Sequence, residues 1–168
     1  MKIIGISGKK RSGKDTVAQI LRTSCVDPSL TYYFASPLKA EVALATGCRV
    51  DYIDQFKDNF RLILQGWGTD YRRKLYGDDY WIKKMKQAID TFERMGTLKL
   101  LIIADVRFKN EYDFLKSYGA TLLRVERAGL PVDGHVSETE LDGMTFDHVI
   151  PNNGTLDELI NTVRGLKI

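Results

Sequence analysis

The stretch Lys2-Ile3-Ile4-Gly5-Ile6-Ser7-Gly8-Lys9-Lys10-Arg11-Ser12-Gly13-Lys14-Asp15-Thr16 decides the fold. Its first six residues form a short β-rich apolar run that stops at a glycine, which reads as a buried strand. Gly8 to Lys14 then fits the spacing G-x-x-x-x-G-K, and a helix is expected from about Lys14 to Thr23 with Val17, Ile20 and Leu21 on one face. Strand, glycine loop and helix in that order separate a real phosphate loop (Walker A) from a chance match or a glycine- and lysine-rich turn. Gly8 and Gly13 allow backbone conformations that aim successive N–H groups at one anion. The helix N-terminus adds its dipole, and Lys14 a compact charge that can follow a transferring phosphoryl group. Arg11 and Ser12 lie within the same loop. Asp15 stands where Ser or Thr usually ligates Mg²⁺, and Thr16 comes one residue later. Asp15 then holds a metal through water or orients an acceptor, while Thr16 supplies the hydroxyl.

Outward from this stretch, strands and helices alternate. Leu30–Phe34 reads as a second strand, and Leu38–Thr46 as a helix with Pro37 in its first turn. Phe56, Phe60, Ile63, Leu64 and Trp67 follow one apolar helical stripe, which puts Arg61, Gln65 and Thr69 together on the opposite side. Trp81, Ile82, Met85, Ala88, Ile89, Phe92 and Met95 form a second stripe ending at Gly96. Leu98–Ala104 is a nearly continuous apolar strand of the kind found inside parallel sheets. A helix from about Phe108 to Tyr118, a strand at Thr121–Val125, a loop over Arg127–Thr145, a strand at Phe146–Ile150 and a helix at Thr155–Leu166 complete the pattern. Alternation of this kind gives a doubly wound α/β fold, which binds ligands at the carboxyl ends of its strands.

The bulk properties agree. The 168 residues suit one domain, and 43% hydrophobic with 28% charged residues is an ordinary globular composition. A formal charge of +3 fits a phosphate-bearing partner but is too small for duplex nucleic acid. Cys25 and Cys48 read as reduced thiols of a cytosolic protein. No stretch has the length needed to span a bilayer, and the N-terminus does not read as a signal peptide, so a cytoplasmic location is expected.

A second chemical cluster follows the apolar strand: Asp105, Arg107 and Glu111. A strand ending in Asp is the usual second carboxylate of a P-loop metal site, although Asp also caps helices. An arginine in a first helical turn opposes the helix dipole, and Arg before Glu at i, i+4 is the weaker order for a pair. Breaking two local preferences at the ligand edge of a sheet points to function: a guanidinium held by Glu111 and gripping a monophosphate or the transferring group. By pattern alone Arg61, Gln65 and Thr69 read as a wet helix face, Trp81 as core, Lys39 as a surface lysine, and Arg127, His135 and Glu138 as solvated loop residues.

Taken together, GKKRSGKDT, Ser36-Pro37-Leu38-Lys39, Leu64-Gln65-x-x-Gly68-Thr69-Asp70, Tyr80-Trp81, the Asp105–Glu111 block and His135-Val136-Ser137-Glu138 resemble the bacteriophage-type deoxynucleoside monophosphate kinases. In that family Asp in place of Ser/Thr after the loop lysine is usual. The resemblance implies a single P-loop nucleoside monophosphate kinase-like domain over residues 1–168, with a parallel core sheet flanked by helices. It implies a helical acceptor-binding region over about 37–96 and a lid over about 127–145. ATP and Mg²⁺ would be held by Arg11, Ser12, Gly13, Lys14, Asp15 and Thr16, with Asp15, Thr16 and Asp105 as metal residues and Lys14, Asp15 and Arg107 as catalytic ones. Lys39, Arg61, Gln65, Gly68, Thr69, Trp81, Asp105, Arg107 and Glu111 would line the acceptor site. The expected activity is phosphoryl transfer from ATP to (deoxy)nucleoside monophosphates for DNA precursor supply. Its partners would be small nucleotides, with no nucleic acid and no membrane; a homodimer is possible, and the host cytoplasm is the location if a phage encodes it. The alternatives are a kinase of another phosphorylated metabolite, such as dephospho-coenzyme A, and a nucleotide-dependent ATPase or switch.

Overall fold

The computed structural model describes residues 1–131 and 136–168. In chain order, β1 (Lys2–Ser7), α1 (Lys14–Ser24) and β2 (Ser29–Tyr32) come first. Helices α2 (Ala35–Thr46), α3 (Val50–Gln55) and α4 (Arg61–Gln65) lead into a π-helix at Gly66–Arg73, then α5 (Lys74–Tyr76) and α6 (Tyr80–Met95). The chain finishes with β3 (Leu100–Val106), α7 (Lys109–Ser117), β4 (Thr121–Glu126), α8 (Val136–Thr139), β5 (His148–Pro151) and α9 (Leu156–Arg164). Two packed units result, one of Met1–Tyr33 with Phe92–Ile168 and one of Phe34–Thr91.

The first unit holds a five-stranded sheet in the order β2-β3-β1-β4-β5, with every neighbouring pair parallel. Strands this apolar are stable only when both faces are covered. Val17, Ile20 and Leu21 of α1, with Leu159 and Val163 of α9, pack on Ile4, Ile6, Ile102, Leu123 and Ile150. Each such side chain fully buried contributes about 1.5–3 kcal/mol. Gly5 points to the other face, where an added Cβ would lie 2.4 Å from Leu122 Cδ2 and 2.9 Å from Leu115 Cδ1. The missing side chain therefore lets α7 lie close on the sheet. At the far end Thr155 opens α9 with a capping box: its hydroxyl accepts from Glu158 N–H, while the Glu158 carboxylate accepts from Thr155 N–H at 2.7 Å. Cys25 and Cys48 are both free thiols. Among the described residues no helix is long and apolar enough to cross a membrane.

The second unit departs from the expected continuous stripe. Its core is Val42, Ala43 and Ile53, with Leu38, Phe60, Leu64 and Trp67 against them. Phe56 and Ile63, expected on the same apolar face, are 39% and 44% exposed. The helix is interrupted after Gln55 by a turn, and from Gly66 it winds as a π-helix. Each π turn takes in an extra residue, so Thr69 leaves the 100° line that joined it to Arg61 and Gln65. The winding has a visible reason. Trp67 and Arg72 are five residues apart, about 140° apart on an α-helix, yet i and i+5 share a side on a π-helix. Both side chains donate to one carboxylate, that of Glu41.

Candidate active site

The sheet register sets the site. Ser7 of β1 pairs with Val106 of β3, so Gly8 and Arg107 leave adjacent strands at the same level. Between the Gly5–Ile103 and Ser7–Val106 pairs β3 holds one more residue than β1, a bulge that accommodates Ala104 and Asp105. Bulges of this kind re-aim a side chain at a sheet's end. Asp105 is the one residue of β3 that is not fully buried.

Two glycines of the loop are there for close approach. A Cβ at Gly8 would meet Val125 O at 2.4 Å, and one at Gly13 would meet Asn152 Nδ2 at 2.3 Å. Gly13 also has φ 101 as the residue preceding α1. Asn152 Nδ2 in turn donates to Ser12 O at 2.8 Å, tying the loop to the residue after β5. Arg11 takes φ 65, the one positive φ of a non-glycine residue among those described, so backbone strain sits in the loop itself. Ser12 Oγ is buried and has no hydrogen-bond partner among the described residues.

Lys14 is 8% exposed and its ammonium donates to Gly8 O at 2.7 Å and Lys9 O at 2.8 Å. Burial pushes its pKa down to about 8, helped by the like charge of Arg107, while Glu138, Asp15 and Asp105 pull it back up. Five charges thus converge on one point at the end of the sheet. Asp15 is exposed, Thr16 half-buried, and Tyr33 O–H donates to Asp15 Oδ1 at 3.4 Å. Two carboxylates and a hydroxyl fit a hard, water-retaining cation that takes its remaining ligands from phosphate.

Arg107 and Glu111 are arranged differently from the expected ion pair. Arg107 precedes α7 instead of lying in its first turn. The Glu111 carboxylate accepts the backbone N–H groups of Arg107 at 2.9 Å and Phe108 at 3.2 Å, satisfying donors at the helix start. The Arg107 guanidinium instead pairs with Glu138 at 2.5 Å. Glu138 also accepts the Lys10 backbone N–H at 2.6 Å, so it bridges the loop and the arginine. Two further acidic residues of the same segment reach this edge. Glu140 accepts Lys109 N–H at 2.7 Å, and Asp142 pairs with Arg124 and lies 3.5 Å from Lys9. His135, expected in the lid, lies outside the described residues.

The remaining expected residues belong to the helical unit. Arg61, Gln65 and Thr69 are exposed. Gly68 is buried under Leu38, and its carbonyl accepts from Trp81 Nε1 at 3.1 Å. Trp81 is a core residue at 4% exposure. Lys39 is not the surface lysine its pattern gave: it is buried and ion-paired with Asp54.

One cluster in this unit leaves almost no mark in the sequence. Glu41 accepts from Trp67 Nε1 at 3.0 Å, Arg72 Nε at 2.7 Å and Tyr80 O–H at 2.5 Å. The Arg72 guanidinium lies 5.0–5.8 Å from the ring centres of Trp67, Tyr71, Tyr76 and Tyr80. Burial raises the Glu41 carboxyl, but the three hydrogen bonds and the arginine charge outweigh it and hold the group below its ordinary value. Burial and the neighbouring Glu41 push Tyr80 up to about 12. The only sequence signal for this knot was the density of aromatics between 67 and 81.

Comparison with known proteins agrees with the geometry. The family model described as deoxynucleotide monophosphate kinase matches residues 2–59 and 48–163. The chain is 32% identical over 187 residues to a protein of Acanthamoeba polyphaga mimivirus that carries the deoxynucleotide monophosphate kinase name, covering 97% of this chain and 94% of that protein. It is 30% identical to the deoxynucleotide monophosphate kinase of Enterobacteria phage T4 over 68% of this chain, and spans about half of the phage protein (48%). A phosphomevalonate kinase of Drosophila melanogaster is 29% identical, with 94% of this chain and 92% of that protein covered. Among solved structures, shikimate kinase from Aquifex aeolicus matches with a TM-score of 0.50 at 15% identity, covering 98% of this chain and 94% of that one, a likeness of fold. A phosphate loop on β1, a parallel 2-3-1-4-5 sheet and a family match across nearly the whole length lead to one conclusion: this chain belongs to the deoxynucleotide monophosphate kinase family.

Proposed function

We propose that this protein transfers the terminal phosphoryl group of ATP to the 5′-phosphate of deoxynucleoside monophosphates, giving the diphosphates. The observation that carries this reading is the convergence of Lys14, Arg107, Asp15 and Asp105 where β1 and β3 end together. The set gathers charges that can face phosphate oxygens. It suits in-line transfer between two phosphates, in which positioning and charge neutralisation supply the catalysis.

In this mechanism the loop N–H groups and Arg11, Ser12 and Gly13 hold the donor phosphates. Lys14 exchanges its two carbonyl partners for phosphate oxygens and moves with the transferring group. Asp15, Thr16 and Asp105 would hold Mg²⁺, which neutralises phosphate charge when bound. Arg107 binds the acceptor phosphate or the phosphoryl in transit, and Glu111 fixes the backbone that carries it. In the helical unit the exposed Arg61, Gln65 and Thr69 bind the acceptor, while the buried Gly68, Trp81 and Lys39 hold that surface in place from beneath. The segment over about 127–145 excludes water, which otherwise competes as acceptor. The partners are small nucleotides, and the setting is the cytoplasm.

The Drosophila relative favours a second reading, transfer to another phosphorylated metabolite. An acceptor panel separates the two. ADP release from Mg-ATP is measured with each deoxy- and ribonucleoside monophosphate, with phosphomevalonate, with dephospho-coenzyme A and with no acceptor. Release matched by a new deoxynucleoside diphosphate is the expected result. Release only with a non-nucleotide acceptor moves the second reading forward, and release without any acceptor makes the protein an ATPase.

A further inference from the structure

The segment that approaches the phosphate loop is acidic. Its Glu138 side chain is 6% exposed, and each carboxylate oxygen is spent on a group that the reaction needs. One oxygen accepts from the Arg107 guanidinium at 2.5 Å, the other from the Lys10 N–H at 2.6 Å. The same carboxylate acts on the charge of Lys14. A loop N–H, a guanidinium and a nearby ammonium around a planar anion are what a terminal phosphate requires from a P-loop. A carboxylate and a phosphate cannot both take the Lys10 N–H, which has a single hydrogen, and two anions crowded against one guanidinium repel each other.

We propose that Glu138 is an internal anion occupying the donor-phosphate position of the nucleotide-free protein, which ATP must displace in order to bind. Displacement hands the Lys10 N–H to the nucleotide and frees the guanidinium of Arg107 for the phosphates being joined. Donor binding therefore prepares the acceptor-phosphate site, and the two substrates bind in a preferred order. This inference rests on the kinase reading above for the role of Arg107. Its test does not, because it uses a ligand without base or sugar.

The test titrates inorganic tripolyphosphate into the wild-type protein and into Glu138→Gln, Glu138→Ala and Glu140→Gln by calorimetry, after circular dichroism has shown each variant folded. A carboxylate in place for nine-tenths of the time weakens apparent affinity about tenfold. Glu138→Gln and Glu138→Ala should therefore tighten tripolyphosphate binding by about three- to tenfold, the larger gain being the fuller occupancy. Glu140 carries the same charge two residues on but faces the Lys109 N–H, so its variant should change affinity by less than about twofold. Equal tightening in all three variants would mean that net charge alone is felt, and would overturn the occupancy claim. Unchanged or weaker binding in both Glu138 variants would also overturn it, making Glu138 a support for the loop. If the Glu138 variants bind tightly but no deoxynucleoside monophosphate is phosphorylated by the wild type, the kinase reading fails and the internal anion stands.

Discussion

The sheet unit and the helical unit hold their polar groups in opposite ways. Around the phosphate loop the work is done by backbone: a loop N–H that donates to Glu138, glycines where a Cβ would strike Val125 or Asn152, and a lysine that folds back on the carbonyls of its own loop. In the helical unit it is done by side chains far apart in sequence: Glu41, Trp67, Arg72 and Tyr80 close on one another through a π-helix. Backbone devices need particular residues at fixed spacing and so leave a motif. Side-chain knots need only that some donor arrives, and leave almost none.

The first way to break this contrast is at Lys14 and Arg107. Lys14→Met or Arg107→Ala should lower kcat by about 10³-fold or more, since each removes a charge aimed at the transferring group. Steady-state kinetics beside circular dichroism checks this. Near-normal turnover in Arg107→Ala would remove that residue from the mechanism. Lys14→Met should not lower the melting temperature, because a buried, desolvated ammonium opposes folding.

The helical knot should respond in the other sense. Glu41→Ala leaves an arginine, an indole N–H and a phenol without their shared acceptor, and should cost about 2–4 kcal/mol of stability. Its kinetic signature should be a raised KM for the monophosphate with the KM for ATP held. A raised KM for ATP alone would dissolve the proposed division of labour between the units. The same variant, assayed with phosphomevalonate as well as a deoxynucleoside monophosphate, tests whether the acceptor is met by this unit, as proposed above, and not by the loop.

Gly13→Ala tests the backbone side at a single atom. The new methyl would have to displace Asn152 and sit at φ 101, so ATP binding should weaken by about tenfold or more while monophosphate binding is retained. A smaller and subtler effect concerns pH. Lys14 is held at about 8 in the free protein, so kcat/KM for ATP should fall as pH rises through 8. Bound phosphate favours the charged form, so kcat should fall only at higher pH. For stability the sign is opposite. The folded value lies below the ordinary 10.5, so between about 8 and 10.5 the unfolded chain holds more of this proton, and this group's contribution improves with rising pH.

Which parts were legible follows from the same contrast. The strand–loop–helix unit, the apolar β3 and the parallel sheet were readable because periodicity and glycine spacing reflect local physics. Within Phe56–Thr69 the expected stripe holds at Phe60, Leu64 and Trp67, fails at Phe56 where a turn breaks the helix, and fails at Thr69 where the π winding from Gly66 seats Trp67 and Arg72 on Glu41, more than twenty positions away. For Arg107 and Glu111 the expected first-turn arginine and ion pair are not what the fold contains, since Arg107 lies ahead of α7. Glu111 satisfies backbone N–H groups and Glu138 takes the guanidinium, a contact across 31 residues that no local rule could supply. Lys39 was hidden for the same reason, since its burial depends on Asp54.

The most direct test of the account follows the label itself. The protein is incubated with Mg²⁺, ATP labelled at the γ-phosphorus and one deoxynucleoside monophosphate at a time, and the products are separated. The expected result is label in the β-phosphate of a deoxynucleoside diphosphate, matched by ADP and absent in Arg107→Ala. Label recovered only as inorganic phosphate, at a rate indifferent to the monophosphate, would contradict it.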